Sequence, residues 1–247
     1  MRLTVLGSCG AWPEAGQACS GYLIEHDGFR LVVDLGYATL PRLLGLAAAS
    51  EIDALFVSHG HPDHCADLNP LLRARVMVDP PAAPLPAFAL SGALDAVLAL
   101  DRPGMLSGGI DLREIRPGHD FEIGPFRATT RLLPHWLPDA GIRIEAGGAA
   151  LTYTGDSGPT PEIAELARGA DLLLAEATHL DQVPEDAARY LSSAATAGQS
   201  AARAGVGTLL LTHLWPGTDQ AASRAVARGQ FDGDVGVARA GMAIEVG

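Results

Sequence analysis

Basic residues are scarce in this chain. Lys and Arg total 17 against 29 Asp and Glu, a formal net charge of -12, and no Lys/Arg cluster stands out anywhere. Proteins that grip long RNA or DNA neutralise phosphates with a basic face, so this balance argues against a nucleic-acid partner and favours small-molecule substrates. Cysteine is scarcer still. Cys9, Cys19 and Cys65 are too few and too irregularly spaced for a disulfide framework, which points to buried thiols. Aromatics make up only 5%, so Ala, Leu and Val must build most of the core. No apolar run reaches the roughly 18 residues that a membrane-spanning helix needs. The opening segment Met1-Arg2-Leu3-Thr4-Val5-Leu6-Gly7 reads as a strand instead of a leader, and the cytoplasm is the expected address.

What is plentiful is apolar and turn-forming: 48% hydrophobic residues, 29 Gly and 17 Pro in 247 residues. That length suits one large α/β domain or two halves of an internal duplication, and a single domain over 1–247 is expected. Short apolar runs read as strands over Leu3–Leu6, Gly21–Glu25, Arg30–Asp34, Ala54–Ser58, Asp111–Arg116, Phe121–Ile123 and Phe126–Leu133. Ile142–Glu145 and Ala150–Thr154 pair as a hairpin through Gly147-Gly148, and further strands follow at Asp171–Ala175, Thr208–Thr212 and Ala243–Val246. Helices are expected over Thr39–Ala49, Asp67–Leu72, Ser91–Leu100 with Ser91 as N-cap, Pro161–Arg168, Ser193–Ala204 and Gln220–Arg228. Residues 79–90 hold four prolines and read as an irregular connection or a strand edge. The strands gather in two sets with helices between and after them. That arrangement suggests two packed sheets covered by helices, although periodicity alone does not select it over other α/β folds.

The chemistry concentrates in His59-Gly60-His61-Pro62-Asp63-His64, just after a predicted buried strand. Packing gives a surface loop no reason to hold three imidazoles and a carboxylate within six residues. Crowded imidazoles resist protonation, and neutral imidazole is the form that binds a metal. Histidine with carboxylate suits Zn²⁺ well, and Mn²⁺ or Fe²⁺ acceptably.

Here the chain resembles the metallo-β-lactamase superfamily, whose signature is His-x-His-x-Asp-His. Further pieces stand in the expected order: Gly7-Ser8, Ser20-Gly21-Tyr22, Val33-Asp34-Leu35-Gly36, His135, Tyr153-Thr154-Gly155-Asp156-Ser157-Gly158 and Leu211-Thr212-His213-Leu214. The resemblance implies an αββα sandwich of two mixed β-sheets flanked by helices. It also implies two divalent metal ions, zinc by preference, with manganese or iron as alternatives. His59, His61 and His135 would hold one ion, and Asp63, His64 and His213 the other. Asp156 would bridge them, and Asp34 would orient a ligand histidine. Hydroxide held between the ions would attack a phosphorus or carbonyl centre, with Asp63 as the catalytic residue that orients it and passes on its proton. Homodimers are common in that superfamily.

The segment Asp171-Leu172-Leu173-Leu174-Ala175-Glu176-Ala177-Thr178-His179 is similar to a strand of the tRNA 3′-processing endonucleases, which carry His-Glu-Ala-Thr there. Ala175 replaces the first of that group's histidines, Tyr190-Leu191-Ser192 stands near the place of a later one, and no basic arm is present. A closer likeness is to compact bacterial hydrolases of this fold, among them atypical cyclic-nucleotide phosphodiesterases, through the helix Ala197-Gly198-Gln199-Ser200-Ala201-Ala202-Arg203-Ala204-Gly205-Val206. The resemblance therefore implies a phosphodiesterase acting on a small nucleotide. A carboxylic ester or lactone hydrolase with the same centre is the alternative; a tRNA-processing enzyme and a non-catalytic metal scaffold fit less well. A redox di-iron centre would want a carboxylate where His61 stands. His179 is a candidate proton donor. Trp136 and Trp215, one and two residues beyond candidate ligands, could stack a base or simply cover apolar surface. Arg143 reads as a strand surface charge more readily than as a phosphate contact.

Overall fold

The most deeply placed strands read as nearly unbroken apolar runs because both of their faces are covered. In the computed structural model, which describes residues Met1–Gly247, the strands are β1 (Arg2–Gly7), β2 (Gly21–His26), β3 (Phe29–Leu35), β4 (Ala54–Val57), β5 (Leu85–Ala89), β6 (Ile110–Glu114), β7 (Asp120–Ile123), β8 (Phe126–Leu133), β9 (Asp139–Ala146), β10 (Ala149–Tyr153), β11 (Leu172–Glu176), β12 (Thr208–Thr212), β13 (Asp234–Val237) and β14 (Ala243–Glu245). They form two seven-stranded sheets, ordered β14-β1-β2-β3-β4-β5-β6 and β13-β12-β11-β10-β9-β8-β7. Each sheet is antiparallel at one end and parallel at the other: β3 to β6 run parallel in the first, β10 to β13 in the second.

Alternate residues serve different layers. Leu3, Val5, Tyr22, Ile24, Leu31 and Val33 point between the sheets, where they meet Ile142, Ile144, Leu151, Tyr153, Leu172 and Leu174. Their neighbours Leu23, Val32 and Leu55 face outward, onto helices α1 (Leu40–Leu44) and α3 (Leu68–Val76). On the other side, Leu173, Leu209 and Leu211 lie under α6 (Ala194–Ala204) and α7 (Gln220–Arg228). Three short helices complete the set: α2 (Pro62–Cys65), α4 (Asp95–Leu98) and α5 (Pro161–Leu166). The result is the expected αββα sandwich. No helix is long and apolar enough to cross a membrane.

Local signals were good where capping chemistry is explicit. Ser193 caps α6 by accepting from the Thr196 amide at 3.2 Å, and Gly205 ends it in the left-handed conformation. Gly147 and Gly148 both have positive φ, +59° and +85°, as a two-residue hairpin turn requires. Elsewhere the structure differs from expectation. The helix predicted over Thr39–Ala49 is a short α1 that stops before Gly45, followed by a separate 3₁₀ turn at Ala49–Glu51. The helix predicted from Ser91 shrinks to α4, because the Ser91 hydroxyl donates to Glu114 Oε1 at 2.9 Å instead of capping. The proline-rich 79–90 stretch contains β5, an inner strand; its ladder with β4 begins at Ala87, so Pro86 falls outside that ladder. Strand β13 was not anticipated.

Arg75 ties this layer together. It is 3% exposed, and its guanidinium donates to the carbonyls of Ile52 at 3.1 Å and Ala83 at 2.8 Å, and to that of Ala49. Arg75→Met keeps the apolar stem and deletes every donor. The buried carbonyls left unpaired should cost about 1–3 kcal/mol of stability. Urea unfolding reads this directly, and a wild-type midpoint would show that Arg75 is not a clamp.

Candidate metal centre

The ends of several strands meet on one rim. The loop after β4 carries His59 and His61, and α2 carries Asp63 and His64. His135 stands two residues beyond β8, Asp156 three beyond β10, and His213 directly after β12. Strand ends are stiff mounts for such side chains.

The seven residues form two groups that share Asp156, and within each group the facing atoms lie within 4.8 Å of one another. In the first, His61 Nδ1 is 3.0 Å from both His59 Nε2 and His135 Nε2, and Asp156 Oδ2 is 3.9 and 3.8 Å from the latter two. In the second, His213 Nε2 is 3.2 Å from Asp63 Oδ2 and 3.1 Å from Asp156 Oδ2, while His64 Nε2 is 3.2 Å from Asp156 Oδ1.

The outward-facing nitrogens fix the tautomers. His64 Nδ1 lies 2.7 Å from Asp34 Oδ2, His59 Nδ1 3.0 Å from Asp139 Oδ1, and His135 Nδ1 2.9 Å from the Tyr190 carbonyl. His213 Nδ1 lies 2.9 Å from Thr178 Oγ1, which gives its own proton to Glu176 Oε1 at 2.7 Å. Each of these Nδ1 atoms therefore donates, and each Nε2 lone pair points inward. A single proton on His61 Nδ1 can serve only one of its two 3.0 Å contacts, so the other sets lone pair against lone pair. His64 Nε2 and Asp156 Oδ1 are buried with no hydrogen-bond partner at all. Only a proton or a cation between such atoms makes the arrangement favourable. Ligands around a tetrahedral ion with bonds of about 2.0–2.1 Å sit roughly 3.3 Å apart, close to the spacings here, and the imidazole–carboxylate set fits divalent ions.

Protonation divides the groups. Burial, reinforced by the neighbouring His64, holds His59 well below the ordinary imidazole value, and burial likewise lowers His61 and His135. For His64 burial works the same way but is outweighed by Asp156, Asp63 and Asp34, which push it well above that value; Asp156 and Asp63 raise His213 similarly. Burial would raise Asp63, yet His64 and His213 hold its carboxyl well below the usual carboxylate range.

Backbone strain marks the rim. Asp34 (φ +54°), His213 (φ +56°) and Ala11 (φ +62°) adopt the left-handed region that side chains avoid. The Ala11 amide donates to Asp63 Oδ2 at 2.8 Å. Gly155 is required: a Cβ there would lie 2.2 Å from Asp139 Oδ1.

The structure brings all seven predicted ligand residues together and sets Asp34 against His64. A cleft of about 280 Å³ opens over them, lined by Ala11, His61, Asp63, His135, Trp136, Asp156, Leu191, His213 and Trp215, with no Lys or Arg. His179 does not line it; its ring lies beside Trp215, 5.3 Å between centroids. Cys65 donates to the His61 carbonyl in the outer core, and Cys9 and Cys19 are buried free thiols. Arg143 is spent on Glu145 and the carbonyls of Leu166 and Arg168. Sequence reasoning missed Asp139, Tyr153 and Thr178. Tyr153 donates to Asp34 Oδ2 at 2.8 Å. Asp139 opens β9, three residues before the strand start expected at Ile142.

Two outcomes are expected. Protons compete for His64 and His213, whose values are raised, but hardly for His59, His61 and His135, whose values are lowered. Lowering the pH from 8 to 6 should therefore release the ion on the Asp63 side first, as followed by zinc titration against a chelating dye. Equal pH slopes at the two sites would contradict this. Asp34→Ala removes the acceptor that aims His64 and should weaken that same site about 10- to 100-fold; unchanged affinity would remove Asp34 from the centre.

Comparison with known proteins agrees with the fold. The family model for the beta-lactamase superfamily domain matches residues 17–214. The probable metallo-hydrolase YhfI of Bacillus subtilis is 31% identical over 99% of this chain and 100% of its own. Its crystal structure, described as a metallo-beta-lactamase fold protein, superposes with a TM-score of 0.91 at 30% identity, covering 100% of this chain and 99% of that one. A ribonuclease Z of Mycobacterium bovis is 31% identical over 96% of this chain and 95% of its own. Human short-form tRNase Z shares the fold, with a TM-score of 0.78 at 22% identity over the full length of both chains. The chain belongs to the metallo-β-lactamase superfamily.

Proposed function

We propose that the chain is a metal-dependent hydrolase that holds two divalent ions, zinc by preference, and cleaves a small phosphodiester such as a nucleotide. The observation that carries this reading is Asp156, whose carboxylate reaches both groups of inward-facing imidazole nitrogens. His59, His61 and His135 would hold one ion, and Asp63, His64 and His213 the other. When bound, the ions would lower the pKa of water in the cleft and offset charge at the phosphate.

The chain's own groups do the rest. Asp63, ionised at neutral pH and fixed by the Ala11 amide, accepts a hydrogen bond from the attacking water and takes its proton. The water oxygen bonds to phosphorus as the ester oxygen departs. Returning the proton from Asp63 to that oxygen completes the balance. His179, outside the cleft, positions Trp215 in this scheme and does not donate. The absence of any Lys or Arg from the lining favours a singly charged diester over a polyphosphate, whose extra charge would find no partner there. The similarity to a ribonuclease Z supports phosphodiester chemistry, while the acidic composition argues for a small substrate. Carboxylic ester or lactone hydrolysis is the second reading, favoured by the same lack of cations in the lining.

Zinc-loaded protein should hydrolyse bis(p-nitrophenyl) phosphate faster than simple lactones, and Asp63→Ala should cut that turnover about 100- to 10,000-fold with the far-UV spectrum unchanged. Turnover of lactones alone would replace the first reading by the second. Wild-type turnover in the variant would remove Asp63 from its role.

A further inference from the structure

All three tryptophans of the chain stand exposed, two lining this one cleft and the third packed against one of them. Trp12 is 48% exposed, Trp136 53% and Trp215 38%. Indole is among the costliest side chains to leave in water, and the core has ample apolar faces that could have taken it. Each ring is also braced. Trp136 stacks on Tyr190 at 5.2 Å and 30°, and the Arg189 guanidinium lies over Tyr190 at 5.7 Å. On the other flank, Trp215 is held between Trp12 at 5.8 Å and His179 at 5.3 Å. Bracing removes the rotamer freedom that an exposed side chain would otherwise lose on binding, so the faces are preorganised.

The walls are also tied to the metal ligands. Trp136 follows His135 and meets its ring edge-on at 5.1 Å. Trp12 follows strained Ala11, whose amide holds Asp63. Trp136 and Trp215 line the cleft beside His61, Asp63, Asp156 and His213, whereas no cationic side chain does. The site therefore offers flat π surface next to the reacting centre and little else to grip.

We propose that Trp136 and Trp215 are the specificity-determining residues of the cleft, and that they take the nucleobase of a mononucleotide phosphodiester by stacking. The inference rests on the phosphodiesterase reading for the identity of the ring-bearing substrate. Stacking engages the face that every base has, so discrimination among bases is weak. The cleft, about 280 Å³, is on the scale of one small ligand.

Tryptophan fluorescence tests this without turnover. Zinc-loaded protein is titrated with AMP, with ribose 5-phosphate and with adenosine. AMP should quench the indole emission and bind about 10- to 100-fold more tightly than ribose 5-phosphate. Adenosine should quench too. Trp136→Leu and Trp215→Leu, which keep apolar cover but lose the π face, should each shrink the AMP advantage to within about threefold. Equal affinity for AMP and ribose 5-phosphate, or an advantage that survives both substitutions, overturns the proposal. Because adenosine carries no phosphate, its quenching supports the aromatic walls even if the protein cleaves no diester. Diester cleavage without any preference for a base sinks the walls and leaves the phosphodiesterase reading standing. Both positions are surface-exposed, so circular dichroism of the variants should match the parent; a variant that fails to fold is replaced by acrylamide quenching of the parent, where AMP must shield the indoles and a lack of shielding counts against the proposal.

Discussion

Lone pairs facing lone pairs are the constraint around which this molecule is organised. Five imidazoles and the Asp63 carboxylate converge on Asp156, and their inward-pointing atoms carry too few protons to pair with one another. Left alone, such a cluster would spread apart or fill with water. It stays together because four of the five rings have their outward nitrogen anchored to an acceptor: Asp34, Asp139, the Tyr190 carbonyl or Thr178. Asp34 bears the largest share. Its carboxylate is fully buried and accepts from the Ser58 amide and hydroxyl, Tyr153 and His64. Removing one such acceptor frees a ring to turn, and the spacing that suits a cation is lost with it.

Much of this was legible in the sequence, and the pattern of what was not is physical. The His59–His64 cluster was visible because its residues are adjacent in the chain, so density alone betrayed it. His135, Asp156 and His213 are each isolated in sequence, and only resemblance to a family placed them. Of the acceptors behind the ligands, Asp34 was placed by the same resemblance, whereas Asp139 and Thr178 gave no signal of either kind. Asp139 meets His59 across 80 positions, and Thr178 meets His213 across 35. A carboxylate or hydroxyl near a strand end looks the same whether it faces solvent or a ligand. The fold was easier, since strands buried on both faces announce themselves by composition. The errors fell on helices of one turn and on β5, where tertiary packing decides and local propensity is weak.

The same economy shapes the cleft. A phosphate-binding site commonly recruits arginine, but here the lining is aromatic, aliphatic and acidic apart from its histidines. Any anion drawn into it must be attracted by bound cations, because the chain as a whole, at -12, repels it. Affinity and metal content are thus coupled: an unloaded protein has little reason to hold a charged substrate. The aromatic walls supply what electrostatics does not, a gain from surface contact that is indifferent to salt.

Strain and metal binding are then two sides of one balance. Ala11, Asp34 and His213 hold left-handed backbone at a cost of about 1–3 kcal/mol each, and Asp156 and His64 leave buried atoms unpaired. A fold that carries these costs without an ion is destabilised just where its ligands sit. Binding of an ion repays them, since it is favoured by the folded arrangement and not by the open chain. The low-stability part of the molecule should therefore be the rim and not the sheets, whose cores are complete without it. That division explains why strain is tolerated here: the two seven-stranded sheets supply the stability, and the rim spends it on holding seven side chains where a cation needs them.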